Sequence, residues 1–489
     1  MDKRCPPCAT VEVLSIQNCI STPVPSHRPE VCSRCFNLLQ NPGFEAGLTR
    51  WQTSDNVSVS DASPFEGTQQ AIMQEGVAHL FQDVSLSGPA NCPLFFSANI
   101  STNNAVANNL TVEVLWLDEN RNAMANGLRV FLPGSALGIT YFDITDRPPI
   151  GTAFARLLFS KTEGTENSFI VIDQVILAPV KSSNLLVNPG FESGLNGWHT
   201  TGFSLDFTDP LEGLVNTATN VNGTVYQDVP LTGQPSNASF LLSFAALTTP
   251  FSQGPTAALT AQVLWLDAAN NILGTPGLEI NIPNNTLKNQ FGYLTYLDLT
   301  KPAPAGAVKA RILFTADVEQ GFTLRLDHVI FARAATQNLI INPSFEDGLN
   351  GWQNVNTSVV SLSDVYEGNY TAAVDTVGGV LYQDVPLANA AGHCFLFNTG
   401  FRFRGVGSQA LTSQVIINIL WLDQNGREIG LGASLIIPPN DNLRDKWLVY
   451  TAITEPAPPD TVSARVQFTK APSARSELDI DKVVLGRLV

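Results

Sequence analysis

The chain has 489 residues, with 27 basic against 43 acidic side chains and a formal net charge of −16. That balance makes nucleic acid and anionic membrane surfaces poor partners. Charged residues are only 14 % of the total, and Asn, Thr, Ser, Gly and Pro carry the polar surface, as in extracellular β-sandwiches more than in cytosolic enzymes.

The first segment, MDKRCPPCATVEVLSIQNC, has Lys3 and Arg4 but no continuous apolar core behind them. It does not read as a secretory signal, and nowhere in the chain is there a run of about eighteen apolar residues to form a transmembrane helix. The expectation is synthesis in the cytoplasm, followed by retention, export by another route, or release on lysis. Five of the seven cysteines, Cys5, Cys8, Cys19, Cys32 and Cys35, fall in residues 1–36 among several prolines. With no sustained period, this segment reads as an extended arm. Cys5-x-x-Cys8 and Cys32-x-x-Cys35 resemble a zinc ribbon, although the gap between the pairs is long for one. Disulfides are the competing reading, and an odd total leaves at least one thiol for a bond to another molecule. Reduced thiols without a role are the third.

From Asn37 the sequence NLLQNPGFEAGLTRW opens a unit that restarts at Asn184 as NLLVNPGFESGLNGW and at Asn338 as NLIINPSFEDGLNGW. Near-copies of a fifteen-residue string mark one unit written three times, over 37–183, 184–337 and 338–489. Each is long enough to bury its own core and exceeds any solenoid period, so three beads on a string are expected.

Within each unit come a Glu-Gly pair (Glu66-Gly67, Glu212-Gly213, Glu367-Gly368), a Gln-Asp-Val strand, an apolar run, and V/I-L-W-L-D before a turn. A Pro-rich turn, an Ala-Arg strand and a closing strand with a lone Asp follow. Short β-branched and aromatic runs alternate with period two and are separated by Gly, Pro and Asn turns, with no helical period. This predicts an all-β chain: three tandem antiparallel β-sandwiches, most simply jelly rolls. Cys92 and Cys394 occupy one slot where the second copy has Ala238, which predicts buried core thiols.

Glu45, Glu192 and Glu346 follow a tight Asn-Pro-Gly/Ser turn, and Asp173, Asp327 and Asp481 interrupt the apolar closing strand. Carboxylates beside free carbonyls suit calcium, which takes about six to eight oxygens. The alternative is that the Glu caps a turn and the Asp accepts backbone hydrogen bonds. The recurring Trp51, Trp198, Trp352 and Trp116, Trp265, Trp421 read as core anchors before sugar platforms. Phe81, Tyr226 and Tyr382 keep the ring but not the hydroxyl, which makes them weak ligand candidates. Catalysis has little support: no Gly-x-Ser-x-Gly, HExxH or phosphate loop is present. The five histidines do not recur at matching positions.

The opening motif, together with Ala155-Arg156, Ala310-Arg311 and Ala464-Arg465 and the closing [LI]-D-x-V, resembles carbohydrate-binding modules of families 4, 9 and 22, with their galactose-binding-like jelly roll. The resemblance covers all three units and implies a structural calcium at Glu45/Asp173, Glu192/Asp327 and Glu346/Asp481. It implies no particular ligand, since the shared residues are scaffold. A leaderless, Cys-rich arrangement of such modules also resembles mother-cell proteins deposited on the spore surface of Firmicutes. The expected function is a non-catalytic structural or surface-layer protein, self-associating or anchored through Cys5, Cys8, Cys19, Cys32 and Cys35. The alternative is a multivalent polysaccharide-binding protein.

Overall fold

The computed structural model describes residues 35–86, 92–102, 109–134, 138–164, 166–288, 292–405, 412–440, 445–473 and 475–489. All lie within one compact unit, Cys32–Val489. Cys5, Cys8, Cys19 and Cys32 fall outside them, so the arm and most of its cysteines are not described.

Among the described residues there is no α-helix, and the strands form six five-stranded antiparallel sheets. The first two sheets use β1 (Gln52–Thr53), β2 (Val57–Ser60), β3 (Gln70–Met73), β4 (Ala78–Ser85), β5 (Leu94–Thr102), β6 (Leu110–Leu117), β7 (Ala123–Leu132), β8 (Ile139–Ile144), β9 (Phe154–Lys161) and β10 (Ile170–Pro179). Their orders are β1-β4-β9-β6-β7 and β2-β3-β10-β5-β8, which face each other as a sandwich. The same two orders return for β11 (His199–Thr201) to β20 (Thr323–Ala334) and for β21 (Gln353–Val355) to β30 (Ser476–Gly486).

The two sheets of a sandwich differ in a way that departs from the beads-on-a-string expectation. In the first sheet, β4, β6 and β9 alternate buried and part-exposed residues, as sheets with one wet face do. In the second, β8 and β10 are buried at every residue, and so is β18 (Leu294–Leu299). These inner sheets bury one face in their own sandwich and the other against a neighbouring sandwich. The apolar cluster of the second sandwich runs on into Phe142, Ile144 and Val180 of the first and Trp447, Val449 and Val484 of the third. At about 2 kcal/mol for each large apolar side chain buried, such joints join the units thermodynamically as well as by sequence.

The opening motif is explained by its hydrogen bonds. Asn41, Asn188 and Asn342 adopt positive φ (52°, 54° and 52°), a region Asn tolerates. The Asn41 amide donates to the Gly47 carbonyl at 2.8 Å, and the Trp51 indole N–H donates back to the Asn41 carbonyl at 3.0 Å. The other two copies repeat both bonds. Trp51, Trp198 and Trp352 are buried against the Phe of their motifs, and Trp116, Trp265 and Trp421 are among the largest fully buried side chains. Gly127 and Gly277 lie so close under Trp116 and Trp265 that a Cβ would overlap the ring, which accounts for glycine there. The six tryptophans are scaffold, as the sequence reading favoured.

Candidate functional site

The residues singled out for calcium do come near one another, but their oxygens face backbone N–H groups. Glu45 Oε1 accepts from Thr68 N and Gln69 N, both at 2.9 Å, and Asp173 Oδ2 accepts from Phe65 N at 3.1 Å and Glu66 N at 3.0 Å. Glu192 and Asp327, then Glu346 and Asp481, repeat the arrangement. A hard cation needs several converging oxygens. Among the described residues, a metal-sized grouping of three His, Cys, Asp or Glu side chains does not form at any of these pairs. As arranged, the residues fit the alternative reading, a hydrogen-bonded latch, better than an oxygen cage. Burial pushes Asp173, Asp327 and Asp481 well above the usual carboxylate range, against the hydrogen bonds that lower them.

The latch holds the Glu-Gly pair from both sides, Asp on the residues up to the Glu and Glu on those after the Gly. Gly67 sits at φ 70°, and a Cβ there would strike the Glu45 carboxylate. What the latch presents is a joint. Gly213 N donates to Phe131 O of the first sandwich, Gly368 N to Asn281 O of the second, and Gly67 N to Ile436 O of the third, each at 2.7 Å. Three equivalent bonds in cyclic order close the chain into a ring of three sandwiches. Near the centre, Thr295 Oγ1 donates to Thr140 O at 3.0 Å and Thr140 Oγ1 to Val449 O at 2.6 Å.

Each joint also buries a tyrosine from the inner edge strand, β8, β18 or β28 (Leu448–Ile453). Tyr450 stacks on Phe65 with centroids 4.1 Å apart and Tyr296 on Tyr366 at 4.4 Å. Tyr141 stacks on His328 at 4.8 Å and donates to Glu212 Oε2 at 2.5 Å. His328, Lys482 and Gln174 share one position, the bulge of the closing strand, with φ 50°, 50° and 49°. His328 Nδ1 lies 2.9 Å from Glu212 Oε1, and its Nε2 donates to Phe142 O at 2.6 Å. Lys482 Nζ lies 2.8 Å from Asp298 and 3.8 Å from Glu367. At the third joint the cation is replaced by Gln174, and the carboxylate corresponding to Asp143 and Asp298 is replaced by Ala452.

Burial opposes charge on the His328 ring, but Glu212 and Asp143 outweigh it and push its pKa up to about 10. Burial likewise raises Asp143 to about 7, and the His328 charge keeps Glu212 below its usual value despite burial. Asp143, Glu212 and His328 lie within reach of one metal ion. The next joint places the Lys482 ammonium in the same slot, so the cluster reads as a buried ion pair. Among the described residues no cation pairs with Glu66, and burial raises it to about 7. Sequence comparison within the chain could have found this set, since it shows as correlated differences among copies; the unmatched histidines hid it.

The cysteine expectations change. Cys394 is not a core thiol but is disulfide-bonded to Cys35, 359 residues away, and Cys92 is disulfide-bonded as well, its partner lying outside the described residues. A disulfide sulfur is not a thiolate, so Cys35 is unavailable to a zinc site with Cys5, Cys8 and Cys32, and equally to an intermolecular bond. The disulfide ties the entry of the first sandwich to the third, across the one joint that no peptide linker spans.

With the inner sheets consumed in joints, the outer sheets offer the open faces, and each carries one repeated cluster. Arg156 forks onto Asp83 at 2.6 and 2.9 Å and lies 4.4 Å over the Phe81 ring. Arg311 does the same with Asp228 and Tyr226, and Arg465 with Asp384 and Tyr382. Asp118, Asp267 and Asp423 only cap their turns.

No protein-family model and no curated protein matches the chain. Solved structures do resemble it. A family 61 carbohydrate-binding module in complex with β-1,4-galactotriose is 14 % identical over 31 % of this chain and 99 % of its own, with a TM-score of 0.24. The tandem family 22 modules of Paenibacillus barcinonensis Xyn10C are 14 % identical over 62 % of this chain and 99 % of theirs, at 0.25. A family 4 module is 12 % identical over 30 % of this chain and 99 % of its own, at 0.22.

Proposed function

We propose that this chain is a non-catalytic head that presents three sheet faces to a polysaccharide, carried on its cysteine-bearing N-terminal segment. The observation behind this reading is the division of labour between sheets: inner faces are spent on joints, while every outer face keeps the same stacked aromatic, arginine and aspartate. An aromatic face beside a fixed polar fork suits the apolar face and hydroxyls of a sugar. Three such faces on one body would raise avidity without any one being strong. The test is affinity electrophoresis against a panel of polysaccharides. Retardation should weaken stepwise as Phe81→Ala, Tyr226→Ala and Tyr382→Ala are combined, and a chain unretarded by every polysaccharide would sink the reading.

A second reading, a surface-layer component of a spore or cell, is favoured by the odd cysteine count: with Cys35, Cys394 and Cys92 in disulfides, at least one of the seven cysteines cannot pair within the chain. It predicts disulfide-linked multimers of native material in non-reducing electrophoresis that collapse on reduction. Monomer under both conditions would remove it.

A further inference from the structure

The outer face of the first sandwich differs from the other two. A cleft of about 410 Å³ opens there between the start of β1 and the end of β4, lined among others by Arg50, Arg121, Gln40, Gln52, Phe154 and Asp83. That volume lies in the range of small-ligand sites, about 300–1,000 Å³. Asp83 is the one carboxylate lining it, and it is already spent: its side chain is 3 % exposed, 2.7 Å from Arg121 and 2.6 Å from Arg156. Arg50 is exposed, and among the described residues no carboxylate pairs with it. Arg121 also lies 5.0 Å over the Phe154 ring, which together with Asp83 holds its guanidinium in place. The cleft therefore has surplus positive charge in a chain whose net charge is −16.

The other copies lack these features. Aligned on the opening motif, Arg50 corresponds to Gly197 and Gly351; on the turn after the Trp-Leu-Asp strand, Arg121 corresponds to Asn270 and Gly426. Each of these positions has positive φ, 79°, 84° and 83° for the first set and 66°, 65° and 72° for the second. Glycine and asparagine are the residues that such a backbone favours. An arginine at both positions in one copy goes against that preference, and both side chains line the same cleft.

We infer that this cleft is a site for an acidic sugar residue, its carboxylate held by Arg50 with Arg121 behind it, and its hydroxyls within reach of Gln40 and Gln52. Arginine forks match a planar carboxylate in geometry as well as charge. The inference rests on the polysaccharide-binding reading and narrows it to one face and one ligand class.

Titration calorimetry on the full chain would compare a galacturonate oligomer, the same oligomer with its carboxyls methyl-esterified, and inorganic phosphate. The acid should bind at least tenfold more tightly than the ester and weaken with salt. Arg50→Gly with Arg121→Asn, which installs the second copy's residues, should remove that preference while thermal melting stays within a few degrees. Equal binding of acid and ester, or a preference that survives the double variant, would overturn the acidic site and leave the general reading standing. Phosphate competing as well as the oligomer would overturn the sugar assignment. Loss of retention on every polysaccharide, neutral ones included, would remove both readings together.

Discussion

Cys35 is bonded to Cys394, so the residue that leads into the first sandwich is fixed to the start of β25 (Leu396–Gly405) in the last. The first and second joints are each crossed by the peptide chain, which holds their partners at high local concentration. The third has no such peptide connection; among the described residues this disulfide is the covalent link across it, and it is also the joint where Gln174 and Ala452 replace the ion pair. Covalent closure and charge closure thus complement each other around the ring.

Removing that bond should loosen one joint selectively. Closing a loop of this length could contribute up to about 5 kcal/mol in the chain-entropy description, less here because two joints already constrain the ends. For Cys35→Ser we expect amide exchange at Gly67 and in β28 to rise while that at Gly213 stays slow. Unchanged protection at Gly67 would show that packing of Tyr450 on Phe65 alone holds the joint.

The pH dependence of the first joint follows from His328. Its pKa is about 10 in the fold, above the ordinary value of 6.5. A raised histidine adds stability that is complete below the unfolded value and is lost as pH rises through the folded one. Between about pH 6.5 and 10 stability should therefore fall, and His328→Gln should flatten that part of the profile. A wild-type melting curve with no slope across that window would overturn the charged assignment.

Glu66 gives the same direction at the third joint, from burial without a paired cation. Burial raises it from 4.5 to about 7, so the folded state holds a proton that the unfolded chain has released, and stability falls as pH rises from 4.5 through 7. Glu66→Gln keeps an acceptor for the Ile436 N–H, which Glu66 Oε1 accepts at 2.9 Å. We expect the variant to be more stable than wild type at pH 8, on the order of 1 kcal/mol after allowing for partial solvent screening, and equal to it at pH 4.

Much of the sandwich was legible because its determinants are local. The Asn-Pro turn and the alternation of β4 and β9 are each written within a few residues. The ring was not, because its determinants are differences at matched positions in distant copies. Asp143, Asp298 and Ala452 are unremarkable strand residues until they are set against His328, Lys482 and Gln174. The apolar residues of β5 and β10 fall at consecutive positions, as in Leu94-Phe95-Phe96 and Val175-Ile176-Leu177, and so did carry a sign that both faces are covered, since a sheet with one wet face alternates. Glu45 and Asp173 were recognised as a pair, but sequence could not tell whether their oxygens met a cation or N–H groups.

The second joint allows a test of charge matching. Lys482 and Asp298 are both 4 % exposed at the side chain. Lys482→Met alone leaves Asp298 and Glu367 buried without a cation and should cost about 3–5 kcal/mol, as breaking a buried pair does. Adding Asp298→Ala approximates the combination already present at the third joint and should recover at least half of that loss in chemical denaturation. Additive losses in the double variant would mean that the two side chains act independently and that the correlated differences among copies have another cause.

The latches decide between hydrogen bonding and calcium. Asp327 accepts from Leu211 N, Glu212 N and His328 N, at 2.9, 3.3 and 2.8 Å, and Glu192 from Leu214 N and Val215 N. Asp327→Asn would turn an amide donor toward those N–H groups, which should cost about 1–3 kcal/mol and loosen the first joint through the Glu212-Gly213 pair. Because backbone N–H groups already satisfy these oxygens, wild-type protein should melt at the same temperature with and without a chelator. A drop of several degrees on chelation, abolished by Glu192→Gln with Asp327→Asn, would show instead that a cation displaces the N–H contacts in solution.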